Sequence, residues 1–334
     1  MSSTRVATTV VACLVALALL TLLSLALGAQ ALSPAQLVHA LSHPLRDDPA
    51  QRIVIGLRLP RTVVALVAGA ALGLAGAVMQ GVTRNPLADP GLLGVNAGAS
   101  LAVVTAIGVF GITTASGYIW FAFGGAAIAA GVVYAIGVLG PGGATPVKLA
   151  LAGAALTATL TSIVTLVLLA HLDVFQQYRF WQVGSVSGRS LHDVGVVAPF
   201  AAAGALLAII GGRMLDVLAL GDDAARGLGL NVPLARALCA VAVVLLAGTA
   251  TSIAGPIVFV GLVATHAARP ITGHDHRRLI ALAGLIGAGL LVASDLIGRF
   301  IAPPGELEAG VVIAIIGAPV MIALIRRRGA VMTA

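Results

Sequence analysis

Charged residues are scarce in this chain. Only 9% of its 334 residues are Asp, Glu, Lys or Arg, whereas 59% are hydrophobic. So few charges cannot cover the surface of a soluble protein of this size, and the apolar runs are long enough to cross a bilayer repeatedly. The composition therefore predicts an all-α, polytopic membrane protein surrounded by lipid. The net charge of +7 is explained first by orientation in the membrane and does not indicate a nucleic acid partner.

Lysine and cysteine are rarer still. The only lysine, Lys148, is not followed by Ser or Thr, so the chain lacks the phosphate loop that binds ATP. Cys13 and Cys239 lie alone in apolar segments, and the pair His274 and His276 has no third metal ligand nearby. We therefore expect no catalytic residue, metal or cofactor in this chain, and any ATP and Mg²⁺ must bind to another chain.

Apolar segments predict about ten transmembrane helices. One long run, Leu234–Ala268, is interrupted by Gly248–Ser252 and by Gly255-Pro256. The two pieces are shorter than the ~20 residues of an ordinary span, so we expect the turn between them to lie below the outer surface. The other eight segments are Val6–Ala29, Thr62–Val82, Leu92–Val109, Ile119–Leu139, Leu149–Leu169, Val194–Gly212, Leu279–Ile297 and Leu307–Ile325.

The basic residues indicate an orientation. With a cytoplasmic N-terminus and ten spans, twelve of the nineteen Lys and Arg residues fall on the cytoplasmic side, as the positive-inside rule requires. We expect a single transmembrane domain, residues 1–334, with both termini in the cytoplasm. The other seven basic residues would lie outside: Arg46, Arg52, Arg58, Arg61, Arg179, Arg189 and Arg299.

A polar loop, residues 213–236, falls on the cytoplasmic side. We predict two short helices in it, separated by Gly221, with Asp222 as the N-cap of the second. Three aspartates nearly balance three arginines, so the loop is close to neutral and suits docking into a protein cleft. The alternative is an ordinary solvated loop between two spans, because such loops also contain Gly, Asp and Asn.

A second polar segment, residues 84–99, joins the second and third predicted spans. It contains two prolines, two asparagines and an aspartate. Polar, irregular backbone at this position is costly next to lipid. We therefore expect this segment to be buried in the helix bundle.

Several motifs together resemble the FecCD family of ABC importer permeases. They are Arg58-Leu59-Pro60-Arg61, Met79-Gln80, Asn85–Gly94, Ala219–Gly229, Gly255–Arg269 and Glu306–Pro319, and they extend over nearly the whole chain. The family usually has Gly-x-Ile-Gly-Phe in the eighth span. Here Val258 takes the place of the second glycine, which leaves the bend of this span open.

The resemblance implies the transmembrane subunit of an ABC importer, with type II ABC importer permease architecture, in the bacterial cytoplasmic membrane. Its cargo would be an iron-siderophore-type substrate, or alternatively haem or cobalamin. The implied partners are a second permease subunit, identical or not, two ATPase subunits and an extracytoplasmic substrate-binding protein.

The resemblance also implies site residues. The polar loop would couple to the ATPase through Leu220, Gly221, Asp222, Ala225, Arg226 and Gly229. Thr157, Thr161 and Thr165, which share one helix face, would line the pathway, with Thr145 and Pro146 at its cytosolic gate. Arg58, Arg61 and Arg299 would dock the binding protein. The threonines also fit hydroxyls bonded to their own helix, and the arginines also fit interfacial anchors.

Two other classes of function compete with this interpretation. A secondary transporter needs an intramembrane ion-coupling acid or histidine, for which Asp295, near a span end, is the candidate. An intramembrane enzyme would need a catalytic motif, and His266 has no partner in one.

Overall fold

The computed structural model describes residues 3–28, 32–42, 51–139, 145–302 and 305–332, and these residues form helices and short connections without strands. Arg46 lies outside the described residues, and so does the side chain of Pro146. The helices are α1 (Ser3–Ala26), α2 (Pro34–Ser42), α3 (Leu59–Thr83), α4 (Val95–Gly108), α5 (Ala115–Val138), α6 (Pro146–Ala170), α7 (Leu172–Gln182), α8 (Leu191–Leu218), α9 (Asp222–Gly227), α10 (Val232–Ala254), α11 (Val260–Thr272), α12 (His276–Ile301) and α13 (Ala309–Met332). A π-helical turn, Arg52–Arg58, precedes α3, and a 3₁₀ turn, Pro90–Leu93, precedes α4.

Within the described residues, seven helices are long and apolar enough to cross a membrane. They lie in α1, α3 with its π-helical turn, α5, α6, α8, α10 and α12. Val95–Gly108 and Ala309–Ala323 are shorter apolar helices, and α11, at 13 residues, occupies the place of the remaining predicted span. The chain is thus the all-α, multi-pass membrane protein that the sequence predicts.

The predicted interruption of the run 234–268 is present, but only one of its two pieces is short. Helix α10 continues through Gly248–Ser252 and has 23 residues. The hydroxyl of Thr249 donates to the carbonyl of Leu245, and that of Ser252 donates to the carbonyl of Thr249. Because these hydroxyls are satisfied inside the helix, they do not end it.

The chain turns instead at Gly255–Phe259, where α10 ends and α11 begins. Gly255 (φ +78°) and Phe259 (φ +69°) have left-handed backbone, whereas Val258 does not. The bend that the sequence left open is therefore present. It needs no glycine at position 258, because the positive φ angles fall on Gly255 and Phe259.

Helix α3 lies at the centre of the bundle and contacts its neighbours through small residues. A Cβ atom added to Gly73 would lie 2.2 Å from the carbonyl oxygen of Ala283 in α12, and one added to Gly76 would lie 2.5 Å from the Cα of Gly261 in α11. Such distances are possible only where backbones touch. This packing holds α11 and α12 directly against one central span.

Candidate functional site

The threonines at positions 157, 161 and 165 lie on one face of α6. Thr157 is half-buried, and Thr161 and Thr165 are exposed. Together with Ser162 they line a groove of about 760 Å³. The Thr165 hydroxyl donates to the carbonyl of Thr161 at 2.8 Å, so its proton is used within the helix while its oxygen still faces the groove. The other residues that line the groove are Gly91, Leu92, Gly153, Ala154 and Ala158, so the lining has no charge.

The neighbouring faces of α6 are different in character. Leu160 lines a separate groove of about 310 Å³, whose walls from α4 and α5 are almost entirely apolar. Val167 is half-buried against the hydrophobic core. The hydroxyl-bearing face is therefore distinct from the faces that pack against the bundle or contact lipid.

The predicted gate residues are at the first turn of α6. Thr145 is the N-cap of this helix, and its hydroxyl oxygen accepts from the backbone N–H of Lys148 at 3.4 Å. Pro146 follows at the first helical position, which suits a residue without an N–H. A threonine followed by proline thus fixes where the candidate pathway helix begins.

The polar loop differs from its prediction in two ways. Residues 215–218 continue α8, so the loop contains one short helix, α9, and not two. Gly221 (φ +106°) is the N-cap, and Asp222 is the first helical residue and caps nothing. Asp222 instead forms ion pairs with Arg84 and Arg236. These pairs are formed because the chain brings the end of α3 and the start of α10 beside α9.

The loop presents apolar side chains between its charges. Leu220 and Leu228 are 64% and 66% exposed, and Ala225 between them is buried. Arg226 pairs with Asp223 on the outer side of α9, and Gly229 (φ +83°) follows the helix. Sequence reasoning did not select Leu228, although an exposed leucine next to a helix-ending glycine is a recognisable signal.

The loop is also tied to α12. The Asp216 carboxylate accepts from the backbone N–H of His276 at 2.9 Å and is 2.8 Å from the Nδ1 of that residue. His276 therefore has a carboxylate partner from another helix. Among the described residues no group of three or more His, Cys, Asp and Glu side chains is arranged to hold a metal.

Two of the three arginines predicted to lie outside are buried against α1. Arg58 donates to the carbonyls of Leu25 and Ala26 at 2.9 and 2.7 Å. Arg299 donates to the carbonyl of Ser24 at 2.7 Å and forms an ion pair with Asp295 at 2.6 Å. Their exposed fractions are 6% and 7%. These contacts favour the structural alternative for both residues, because their donors face the protein interior.

Arg61 is more open. It bonds Asp295 at 2.7–2.8 Å on one side and Glu306 on the other. Glu306 is exposed, and both residues border a depression of about 270 Å³ on this end of the molecule. Asp295, the candidate for ion coupling, is thus held between Arg61 and Arg299.

The polar segment 84–99 lies against several helices of the bundle, and Ala88 within it is fully buried. Asp89 is half-buried and accepts from the backbone N–H groups of Gly91 and Phe259. Sequence reasoning missed this carboxylate as a functional candidate, because its second partner is 170 positions further along the chain.

A comparison with family models matches residues 16–327 to the FecCD transport family. Similar curated proteins include the ferric enterobactin transport system permease protein FepD of Escherichia coli (strain K12), 46% identical with 94% of both chains covered. Another is the probable siderophore transport system permease protein YfiZ of Bacillus subtilis (strain 168), 44% identical with 83% of both chains covered. A solved structure, described as an inward-facing conformation of a transporter of the metal-chelate ABC type, matches with a TM-score of 0.82 at 25% identity, covering 96% of this chain and 99% of the other.

Proposed function

The chain belongs to the FecCD transport family and has the fold of an ABC importer permease, and on that premise we propose that its cargo is a ferric siderophore complex. The observation that carries this proposal is the 46% identity, over 94% of both chains, to a ferric enterobactin permease. The groove on α6 supports it, because a lining of hydroxyls and small residues suits a large polar complex and offers no carboxylate to a bare cation. Haem and cobalamin are the alternatives.

The energy source in this proposal is ATP hydrolysis on two separate ATPase subunits, where ATP and Mg²⁺ bind. The polar loop 213–236 is the docking element, and its contact residues include Leu220, Gly221, Asp222, Ala225, Arg226 and Gly229. Exposed leucines flanking a short, ion-paired helix give it an apolar centre with a polar rim. Protein interfaces commonly have that organisation.

A second permease subunit, identical or not, is the proposed neighbour of α6. Leu166 and Leu169, near the outer end of this helix, are 68% and 80% exposed, and the threonine face is open as well. A helix that packs so little inside its own chain suits an interface that encloses a pathway between two subunits. Thr157, Thr161 and Thr165 are its proposed lining, and Thr145 with Pro146 its cytosolic gate.

The proposed setting is the bacterial inner membrane with both chain termini in the cytoplasm. This orientation places the polar loop beside the ATPase subunits. The opposite end, with Arg61 and Glu306, then receives an extracytoplasmic substrate-binding protein. Twelve of nineteen basic residues on the cytoplasmic side support this orientation.

The proposal is tested by reconstituting the permease with its ATPase subunits in vesicles and measuring ATP-dependent uptake of ferric siderophore, haem and cobalamin delivered by the cognate binding protein. We expect uptake of the ferric siderophore alone. Preferred uptake of haem or cobalamin would replace the cargo assignment. Uptake that persists without the ATPase subunits and follows an ion gradient would instead identify a secondary transporter.

A further inference from the structure

Segment 84–94, which we call the inner segment, joins α3 to α4 and touches parts of the molecule that have separate proposed roles. Arg84 ends α3 in a left-handed conformation (φ +49°), and Gly94 (φ +73°) precedes α4. Between them the backbone is held by its own side chains. Asn85 Oδ1 accepts from the N–H of Leu87 at 3.0 Å, and Asp89 Oδ1 accepts from the N–H of Gly91 at 2.9 Å.

The inner segment has little internal freedom. Pro86 and Pro90 fix two φ angles, and the side chains of Asn85 and Asp89 fix the turns that contain these prolines. A segment of this kind moves as a unit and does not absorb a displacement applied at one end.

The cytosolic end of the inner segment is bound to the polar loop. Arg84 forms an ion pair with Asp222, the first residue of α9. The same carboxylate accepts from Arg236 of α10 at 2.9 Å. Any shift of α9 therefore acts directly on the position of Arg84.

The middle of the inner segment is bound to the start of α11. The Asp89 carboxylate caps the 3₁₀ turn that leads into α4 and also accepts from the N–H of Phe259, the N-cap of α11. A carboxylate beside two helix N-termini is stabilised by their unpaired N–H groups and partial positive charge. Asp89 thereby ties the 3₁₀ turn before α4 to the start of α11.

Two tight contacts extend from here to the helices with open faces. A Cβ atom added to Gly153 of α6 would lie 1.7 Å from the carbonyl oxygen of Leu92, so the inner segment rests directly on the backbone of α6. A Cβ atom added to Gly317 of α13 would lie 2.4 Å from the Cβ of Phe259. The inner segment thus meets α6 directly and meets α13 through Phe259.

We propose that the inner segment transmits movement of the polar loop to α6 and α13. The Arg84–Asp222 ion pair receives this movement, and Asp89 is the positioning residue that holds the segment against the start of α11. This inference rests on the proposed function, in which the polar loop docks an ATPase and α6 lines the pathway. It assigns the coupling to contacts that join residues distant in sequence and that connect the polar loop to the helix with the threonine face.

The experiment uses the permease with its ATPase subunits in vesicles, with Thr161→Cys on α6 as the reporter. A water-soluble thiol reagent should label this cysteine at different rates with and without ATP. In Asp89→Ala we expect that difference to disappear and uptake per ATP hydrolysed to fall by roughly 5-fold or more, while ATP hydrolysis continues. Asp89→Asn should recover part of the coupling, because its amide oxygen still accepts one N–H.

The matched control is Asp193→Ala. Asp193 is a buried carboxylate that caps only its own helix, α8, in a box with Ser190. The control variant should keep the ATP-dependent change in labelling. If Asp193→Ala abolishes it as well, the loss in Asp89→Ala reflects a general effect of removing a buried cap, and the proposal is wrong.

If Asp89→Ala does not assemble with the ATPase subunits, a second pair of variants tests the proposed role of the inner segment. Arg84→Gln removes the ion pair with Asp222 that joins the inner segment to the polar loop. Arg278→Gln is the control, because it removes another exposed cytosolic ion pair, with Asp275 at 3.0 Å. Only Arg84→Gln should reduce uptake per ATP. Unchanged coupling in Arg84→Gln overturns the inference. If the unmodified complex itself shows neither ATP-dependent uptake nor a labelling change, the proposed function has failed, and the inference falls with it.

Discussion

Single residues in this molecule often serve a helix other than their own. Asp222 has the residue type of an N-cap but is the first residue of α9, and its carboxylate bonds Arg84 and Arg236. Local sequence predicts caps because the partner N–H is two or three positions away. It cannot predict a partner 138 positions away, and ionised donors compete successfully for the same oxygen atoms.

The Asp222 ion pairs predict a specific pH dependence. Partial burial raises the pKa of the Asp222 carboxyl, but the guanidinium groups of Arg84 and Arg236 outweigh this and hold the pKa below its ordinary value. The stabilisation is therefore complete above the unfolded-state pKa of about 4 and is lost as the pH falls through the lower folded-state value. Asp222→Asn should lower the free energy of unfolding of the detergent-solubilised protein by about 1 kcal/mol. The resulting drop in unfolding temperature should be the same from pH 8 to pH 5.

The difference between Asp222→Asn and the unmodified protein should shrink only below about pH 4. Asp223→Asn is the control, because Asp223 is fully exposed and pairs only with Arg226 three residues away. The Asp223→Asn control should leave the unfolding temperature almost unchanged at every pH. A difference that already vanishes at pH 6 would contradict the pairing.

Gly221 offers a second test at the residue scale. A Cβ atom there meets nothing within 4 Å, but the φ of +106° is one that a β-branched residue rarely adopts. Gly221→Val should therefore displace α9 and uncouple ATP hydrolysis from uptake in vesicles, without loss of the membrane fold. Gly227→Val is matched to it, since Gly227 also has open space and lies in helical backbone. If ATP hydrolysis is coupled to uptake equally well in Gly221→Val and Gly227→Val, the backbone conformation at Gly221 does not matter for coupling.

At the scale of elements, the sequence predicts the helices better than their ends. Apolar length correctly predicts spans, because it follows from the cost of unpaired backbone in lipid. The expected burial of segment 84–99 holds only in part, since Ala88 and Pro90 are buried but Arg84 and Asn85 are exposed. The end of α10 is missed, because Thr249 and Ser252 bond to their own helix and so do not interrupt it. The contacts of the inner segment with α6, α9 and α11 depend on tertiary packing that no local pattern records.

The threonine face of α6 remains a prediction that labelling can decide. Single cysteines at Thr157, Thr161 and Thr165 should react with a water-soluble thiol reagent in the assembled complex. Cysteines at Leu160 and Val167 should react several-fold more slowly, because these positions face the apolar groove and the core. Cys13 and Cys239 must first be replaced. Equal labelling at all five positions would return the threonines to the role of hydroxyls bonded within their own helix.

At the scale of the whole molecule, three of the arginines outside the positive-inside pattern have structural partners. Arg58 and Arg299 join α1 to α3 and α12 by donating to carbonyls at the end of α1. Arg189 donates to the carbonyl of Ile253 and to the hydroxyl of Tyr118, which holds the connection before α8 against the end of α10. Topology rules alone identify these residues as exceptions but cannot show that they fasten helix ends together.

This arrangement sharpens the proposed docking of a binding protein on the outer face. Arg58 and Arg299 are buried and already donate to backbone carbonyls at the end of α1. Arg58→Gln and Arg299→Gln should each lower the free energy of unfolding by about 1–3 kcal/mol, because these carbonyls lose charged donors. The loss is measured as a lower unfolding temperature. Arg61 is the residue whose planar fork an incoming carboxylate can reach, in competition with Glu306. Arg61→Gln should therefore weaken association with the binding protein and reduce its salt dependence.

Glu306→Gln should change the affinity for the binding protein in the opposite direction to Arg61→Gln. Without the Glu306 charge, the Arg61 guanidinium loses its exposed internal partner and keeps only Asp295. Association with an acidic surface should then become tighter and more salt-dependent, because one repelling carboxylate is gone and the fork is available. Surface binding kinetics at two salt concentrations would measure both variants. If Arg61→Gln and Glu306→Gln shift the affinity in the same direction, or leave it unchanged, Arg61 belongs with Arg58 and Arg299 as a structural residue, and the binding protein docks elsewhere.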